Sequence, residues 1–136
     1  MGIDIGTKRL GVALSDKSQR IATPLAVLDM DAVQLDPTLF TELVDDWVID
    51  RFVIGLPLSL DGTEGPHAQR TRQIAARLLG ARIVDATFVD ERLSTTQAKS
   101  ALREAGRSEK QSRGVVDKVA ATLILQSYLD AQKAES

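Results

Sequence analysis

The sequence predicts an α/β chain built on a mixed five-stranded sheet with helices on its faces. Apolar residues switch between strand-like and helix-like spacing along the 136 residues. The first two strand-like runs, 2–5 and 10–15, are joined only by the tight turn Thr7-Lys8-Arg9, which permits an antiparallel hairpin but no parallel crossover. Later strand-like runs are separated by helical stretches, as in βαβ units, whose right-handed crossovers bring the next strand in parallel.

Gly2 to Ile5 reads as the first strand and Leu10 to Ser15 as the second. Ile21 to Leu28 is a third, where Pro24, lacking an N–H, marks an edge or a bulge. Asp36-Pro37 places an N-cap before a proline, and Phe40, Leu43, Val44 and Trp47 follow at helical spacing. Arg51 to Gly55 is a β-rich run that leaves the sheet through Gly55-Leu56-Pro57. A loop, Ser59 to Gly65, precedes a helix opened by Pro66, carrying Ile74, Leu78 and Leu79 and stopped by Gly80. Ile83 to Val89 is the last strand. Ser94 with Gln97 forms a capping box for a helix ending near Gly106. A final helix starts near Gly114 with Val116, Val119, Ala120, Leu123, Ile124 and Ser127 along one stripe. The crossover rule sets the strand after the first helix beside strand one, which brings Asp4 towards Glu91 at the end of the last strand.

At 43% hydrophobic and 26% charged, the chain has the balance of one globular domain over residues 1–136. A net charge of -2 leaves no general positive field, so contact with nucleic acid has to come from local cations. The absence of cysteine excludes disulfides, thiolate zinc sites and cysteine nucleophiles, and suits a reducing compartment. No signal peptide and no run long enough to span a bilayer is visible, so the cytoplasm is the expected location and no membrane partner is expected. Aromatic residues are only 4%, which argues against base stacking as a means of binding, and Trp47 and Tyr128 read as core residues.

Three carboxylates stand in or beside apolar runs: Asp4 in Gly2-Ile3-Asp4-Ile5-Gly6, Glu91 after Val89-Asp90, and Asp117 after Val115-Val116. A charge there is costly unless something compensates it, and a divalent cation shared by all three would. Each also has a plainer reading. Asp4 could bond turn amides, Glu91 could sit exposed at a strand end, and Asp117 could face solvent or pair with Arg113 or Lys118. Asp90 points to the opposite face from Glu91. Asp16 reads as a strand-end cap and His67 as an exposed residue at a helix start.

Four blocks in the right order resolve the choice. The chain resembles the YqgF/RuvX family, described both as pre-16S rRNA nucleases and as Holliday junction resolvases. The resemblance lies in Gly2-Ile3-Asp4-Ile5-Gly6-Thr7-Lys8-Arg9-Leu10-Gly11, in Gly55-Leu56-Pro57 with Asp61-Gly62-Thr63-Glu64-Gly65-Pro66, in Asp90-Glu91-Arg92-Leu93-Ser94-Thr95, and in Val116-Asp117-Lys118-Val119-Ala120-Ala121. It implies a ribonuclease-H-like fold and a metal-dependent nuclease whose acidic cluster falls on Asp4, Glu91 and Asp117, all three serving as catalytic residues and metal ligands. Carboxylates suit Mg²⁺ or Mn²⁺, and two such ions can activate water, neutralise a phosphate oxygen and stabilise the leaving oxygen. Lys8, Arg9, Arg92 and Lys118 stand within a few residues of an acid and are the expected contacts to the nucleic-acid backbone.

The implied substrate is the 5′ end of pre-16S rRNA or, alternatively, branched DNA, where a homodimer would present two cleavage sites. Two further readings come from other classes. Gly2 to Thr7 also looks like the phosphate-binding hairpin of actin-like ATPases, which need two such domains. A ribosome-maturation module without turnover would carry the same acids.

Overall fold

The computed structural model describes residues 1–91 and 109–135, with side chains described for residues 1–91 and 120–133. Strands β1 (Gly2–Ile5) and β2 (Arg9–Ser15) form the predicted hairpin, Gly2 opposite Ala13 and Ile5 opposite Leu10. Arg9 is thus already in β2, not in the turn. Strand β3 (Ala22–Asp29) pairs antiparallel with β2 at the sheet edge. Val12 faces Ala26 while Ala13 faces Pro24, so Leu25 is the extra residue of a bulge beside the proline.

Strand β4 (Phe52–Leu56) lies parallel to β1 on its other side, and β5 (Ala86–Asp90) lies parallel to β4. The order β3-β2-β1-β4-β5 is the mixed five-stranded sheet that the hairpin and crossovers predict. β1 is therefore central, with its backbone held on both sides.

Helices cover both faces. Helix α1 (Met30–Leu35) starts where Asp29 accepts from the Ala32 N–H at 3.3 Å, and α2 (Thr38–Asp45) starts where Asp36 accepts from the Thr38 N–H at 3.2 Å. Helix α3 runs over Pro66–Leu79. On this side Ile3, Ile5, Leu10, Val12, Phe52 and Ile54 pack with Met30, Val33, Phe40, Val44 and Leu78. The opposite face is covered by the last described helix, α4 (Glu109–Glu135), where Ala121, Ile124, Leu125 and Leu129 pack on Ala13, Ala22 and Val53. Full burial of such side chains contributes about 1.5–3 kcal/mol each, which makes both faces obligatory parts of the fold.

Gly2 controls how close α4 comes. A Cβ there would stand 2.7 Å from Leu125 Cβ and 2.8 Å from the Ala121 carbonyl oxygen, so only glycine lets the helix backbone rest on β1. Further along α4, the Gln126 side chain accepts from the Ala22 N–H and donates to the Arg20 carbonyl, both at 2.9 Å, fixing the helix rotation.

Several expectations need correction. Helix α1 is absent from the sequence reading because six residues give too little periodicity to register. Helix α2 ends at Asp45, short of Trp47; acidic residues at its C-terminal end, with no basic residue in the last turn, oppose the helix dipole. Trp47 consequently lies outside the core, 49% exposed. The segment Gly80–Asp85 forms a 3₁₀ helix, so β5 begins at Ala86 and not at Ile83. Helix α4 begins at Glu109, before Gly114, and its buried stripe is Ala120, Ala121, Ile124, Leu125 and Leu129, with Ser127 exposed. Tyr128 does pack against that cluster. The capping box at Ser94 and Gln97 and the helix end near Gly106 lie outside the described residues.

Candidate active site

Strand alternation decides which side chains share a face. Gly2 faces α4, so Asp4, two residues on, faces it too, while Ile3 and Ile5 point into the other core. In register across the sheet, Ile3 lies opposite Ile54, and Gly55 opposite Val89. Val89 packs with the α4-side cluster, so Glu91, two residues further, returns to that face just beyond β5. Its N–H still donates to the Leu56 carbonyl at 3.3 Å, which holds it to the end of the ladder.

Asp4 and Glu91 thus emerge on one face from strands separated by β4, and their carboxyls are hydrogen-bonded. Gly55 lies between them. A Cβ on Gly55 would stand 2.6 Å from Glu91 Oε2, 2.9 Å from Glu91 Cβ and 2.5 Å from Ile124 Cδ1. The missing side chain on β4 is what lets the Glu91 carboxyl fold across the sheet to Asp4. Gly55 is an interior strand residue, not the turn that the run Gly55-Leu56-Pro57 suggests. The signal was a lone glycine within an apolar strand, which marks a close approach.

The electrostatics follow from burial. Asp4 is 9% exposed and Glu91 is half-buried. Removal from water pushes the Glu91 carboxyl above its ordinary value; the hydrogen bond to Asp4 opposes this, and the charge of Asp90 adds to it. Glu91 Oε2 is buried without a hydrogen-bond partner.

Asp117 lies on α4, one turn before Ala121 in the chain. Gln126 is tied to the start of β3, at the Ser15 end of the hairpin. The chain of α4 leading back from Ala121 to Asp117 therefore runs towards the Asp4 end of β1. The Asp117 and Lys118 side chains, and Arg92, lie outside the described residues. Lys8 is exposed in the β1–β2 turn, and Arg9 is half-buried opposite Asp29. Asp16 is a cap as expected, accepting from the Arg20 and Ile21 N–H groups at 2.8 and 3.1 Å, and His67 is exposed at the start of α3.

This arrangement has known relatives. The family model described as "RuvX: Holliday junction resolvase" matches residues 1–131. A protein of Rhodobacter capsulatus named "Putative pre-16S rRNA nuclease" is 46% identical over 129 residues, covering 95% of this chain and 81% of its own. One of the same name from an Anaeromyxobacter species is 41% identical over 134 residues, covering 98% of each. Among solved structures, T. thermophilus RuvC in complex with Holliday junction substrate superposes with a TM-score of 0.57 at 14% identity, covering 97% of this chain and 93% of that one. At that identity the likeness shows the fold alone, a ribonuclease-H-like one. Matched along nearly all its length by the family model and by relatives above 40% identity, the chain belongs to the RuvX family.

Proposed function

We propose that this chain is a divalent-metal-dependent nuclease that processes the 5′ end of pre-16S rRNA, with Asp4, Glu91 and Asp117 as its metal-holding catalytic residues. One observation carries the reading: two carboxyls from separate strands meet on a buried face over a position kept empty by Gly55. Burying two acids together is costly, and a fold that builds space for the pair gains nothing in stability from it.

The residues fit a hard cation such as Mg²⁺ or Mn²⁺. The donors are all oxygens, and Glu91 Oε2 is buried and unpartnered among the described residues. Bound there, the cation supplies neutralisation of phosphate charge and activation of the attacking water. Asp4 contributes rigidity, because its strand is paired on both sides. Burial raises the Glu91 carboxyl above its ordinary value, and a cation held there would favour its ionised form. Lys8, Arg9, Arg92 and Lys118 would draw the phosphate backbone towards the acids.

The rRNA substrate rests on the names of the relatives, and such processing would take place in the cytoplasm. No helix among the described residues is long and apolar enough to cross a membrane. A second reading, resolution of four-way DNA junctions, is favoured by the description of the family model and would call for a two-fold dimer.

Incubating a labelled pre-16S rRNA 5′ fragment and a four-way junction with Mg²⁺ or Mn²⁺ separates these. Cleavage of the RNA by the native chain, abolished in Asp4→Asn and by chelator, is the expected result. Cleavage of the junction alone would transfer the assignment to resolution. Equal activity of a well-folded Asp4→Asn variant would refute the acid-cluster mechanism.

A further inference from the structure

Arg70 projects from the first turns of α3 to the β1–β2 turn, where its Nη1 donates to the Gly6 carbonyl oxygen at 3.2 Å. Gly6 lies two residues past Asp4, and its own N–H donates to the Arg9 carbonyl at 2.9 Å. The Lys8 carbonyl accepts from the Met30 N–H at 2.8 Å. The turn that carries Lys8 and leads into Arg9 is therefore clamped from α3 on one side and from the start of α1 on the other.

Arg72 and Arg82 are matched by acids. Arg72 donates to both carboxylate oxygens of Glu64, at 2.6 and 3.1 Å, and stacks over the Phe88 ring at 4.4 Å. Arg82 meets Asp45 at 2.5 Å. Arg70, like Arg77 on the Gln34 carbonyl, bonds a neutral carbonyl, but Arg70 is half-buried where Arg77 is exposed, and no acid stands in the first turn of α3. A guanidinium has five N–H donors in a planar fork, so most of this one's capacity is uncommitted beside a turn that bears Lys8 and leads into Arg9. Such clustering of like charge is unfavourable in the free protein and favourable once an anion arrives. A bonded carbonyl also restricts the side chain, which reduces the entropy lost when its remaining donors engage.

We propose that Arg70 binds a backbone phosphate of the nucleic-acid strand drawn across Asp4 and Glu91, held ready by Gly6. This rests on the nuclease reading above. The test uses the Asp4→Asn chain, expected to bind without cutting, alone and combined with Arg70→Ala or Arg70→Lys. Binding of a fluorescent pre-16S rRNA 5′ fragment is measured between about 50 and 300 mM salt. Arg70→Ala is expected to weaken binding about tenfold at the low-salt end and to flatten the log–log salt slope by about 0.7, the loss of one single-strand phosphate contact. Arg70→Lys should keep the slope, since it keeps the charge.

An unchanged affinity and slope in Arg70→Ala, even with a lower melting temperature, would overturn the proposal and leave Arg70 as a turn anchor. The nuclease reading is judged separately, by cleavage in the native chain and its loss in Asp4→Asn. If only the four-way junction is bound, the same titration applies there with a slope change of about 0.9. Binding of neither by any variant overturns both.

Discussion

Adding one methyl group at Gly55 should disable the site through crowding alone. The new Cβ would meet Ile124 Cδ1 at 2.5 Å, Glu91 Oε2 at 2.6 Å and Glu91 Cβ at 2.9 Å, all too close for real contacts. The two neighbours differ in how they can yield. Ile124 is fully buried against Val53 and Leu125, so its methyl can retreat only by pushing α4 away. Glu91 stands at a strand end, so its carboxyl can swing off Asp4. Overpacking costs about 1–3 kcal/mol, offset by about 0.5–1 kcal/mol because alanine is better than glycine inside a strand. Gly55→Ala should therefore lose up to about 2.5 kcal/mol, a fall of a few degrees in melting temperature. Its cleavage rate should fall about 100-fold or more, since a shift of about 1 Å in a positioned group has that effect. The double variant Gly55→Ala/Ile124→Val removes the Cδ1 clash and should regain part of the stability, while the Glu91 clash and the lost activity remain. Thermal denaturation and RNA cleavage with Mn²⁺ read the two effects. Native activity in Gly55→Ala would refute the idea that this glycine clears the path between the acids.

Burial holds Glu91 above its ordinary value of 4.5, so folding favours the protonated acid; stability from this source is present below 4.5 and is lost as pH rises through the elevated value. In chelator, Glu91→Gln should show a smaller fall in urea midpoint on going from acid to alkaline pH, and an identical pH profile would count against a buried, costly charge. Asp16 runs the opposite way: the Ser18 hydroxyl first, then the Arg20 and Ile21 amides, hold it at about 2, so its contribution is present above 3.8 and lost as pH falls to about 2. Asp16→Ala should give a shallower acid transition in a circular-dichroism titration, and an unaltered transition would show that the cap does not couple to folding. Gln126→Ala removes the bonds to Ala22 and Arg20 and should cost about 1–3 kcal/mol by urea denaturation, with a change below about 0.5 kcal/mol refuting its role in seating α4.

Much of this architecture was legible because its signals are local. The three-residue connection after Ile5 forces a hairpin, Pro24 announces its bulge, and Pro66 and Gly80 bracket α3. Where local signals were thin or contradicted by their surroundings, the reading failed. Helix α1 shows one turn and a half of pattern, and its stability comes from Met30 and Val33 entering the core. Phe40, Leu43, Val44 and Trp47 keep perfect helical spacing, yet the chain leaves the helix at Asp46 and turns the indole towards solvent.

The sheet order and the presence of Asp4 and Glu91 on one face follow from chain connectivity and the two-residue period, both of which are written in the order of residues. The meeting of the two carboxyls does not. It depends on Gly55 being in register between them and on α4 lying close enough for Ile124 to close the space, and neighbours on separate strands become neighbours only when the sheet is assembled. Arg70 belongs to the same class. In the sequence it is one of a row of arginines along a helix, and only packing separates it from Arg72, whose charge Glu64 cancels, by setting it against Gly6. Residue types and spacing carry the chemistry that is available, while burial and contact, which arise from the whole fold, determine which of those groups are brought together and which are left with unmatched charge.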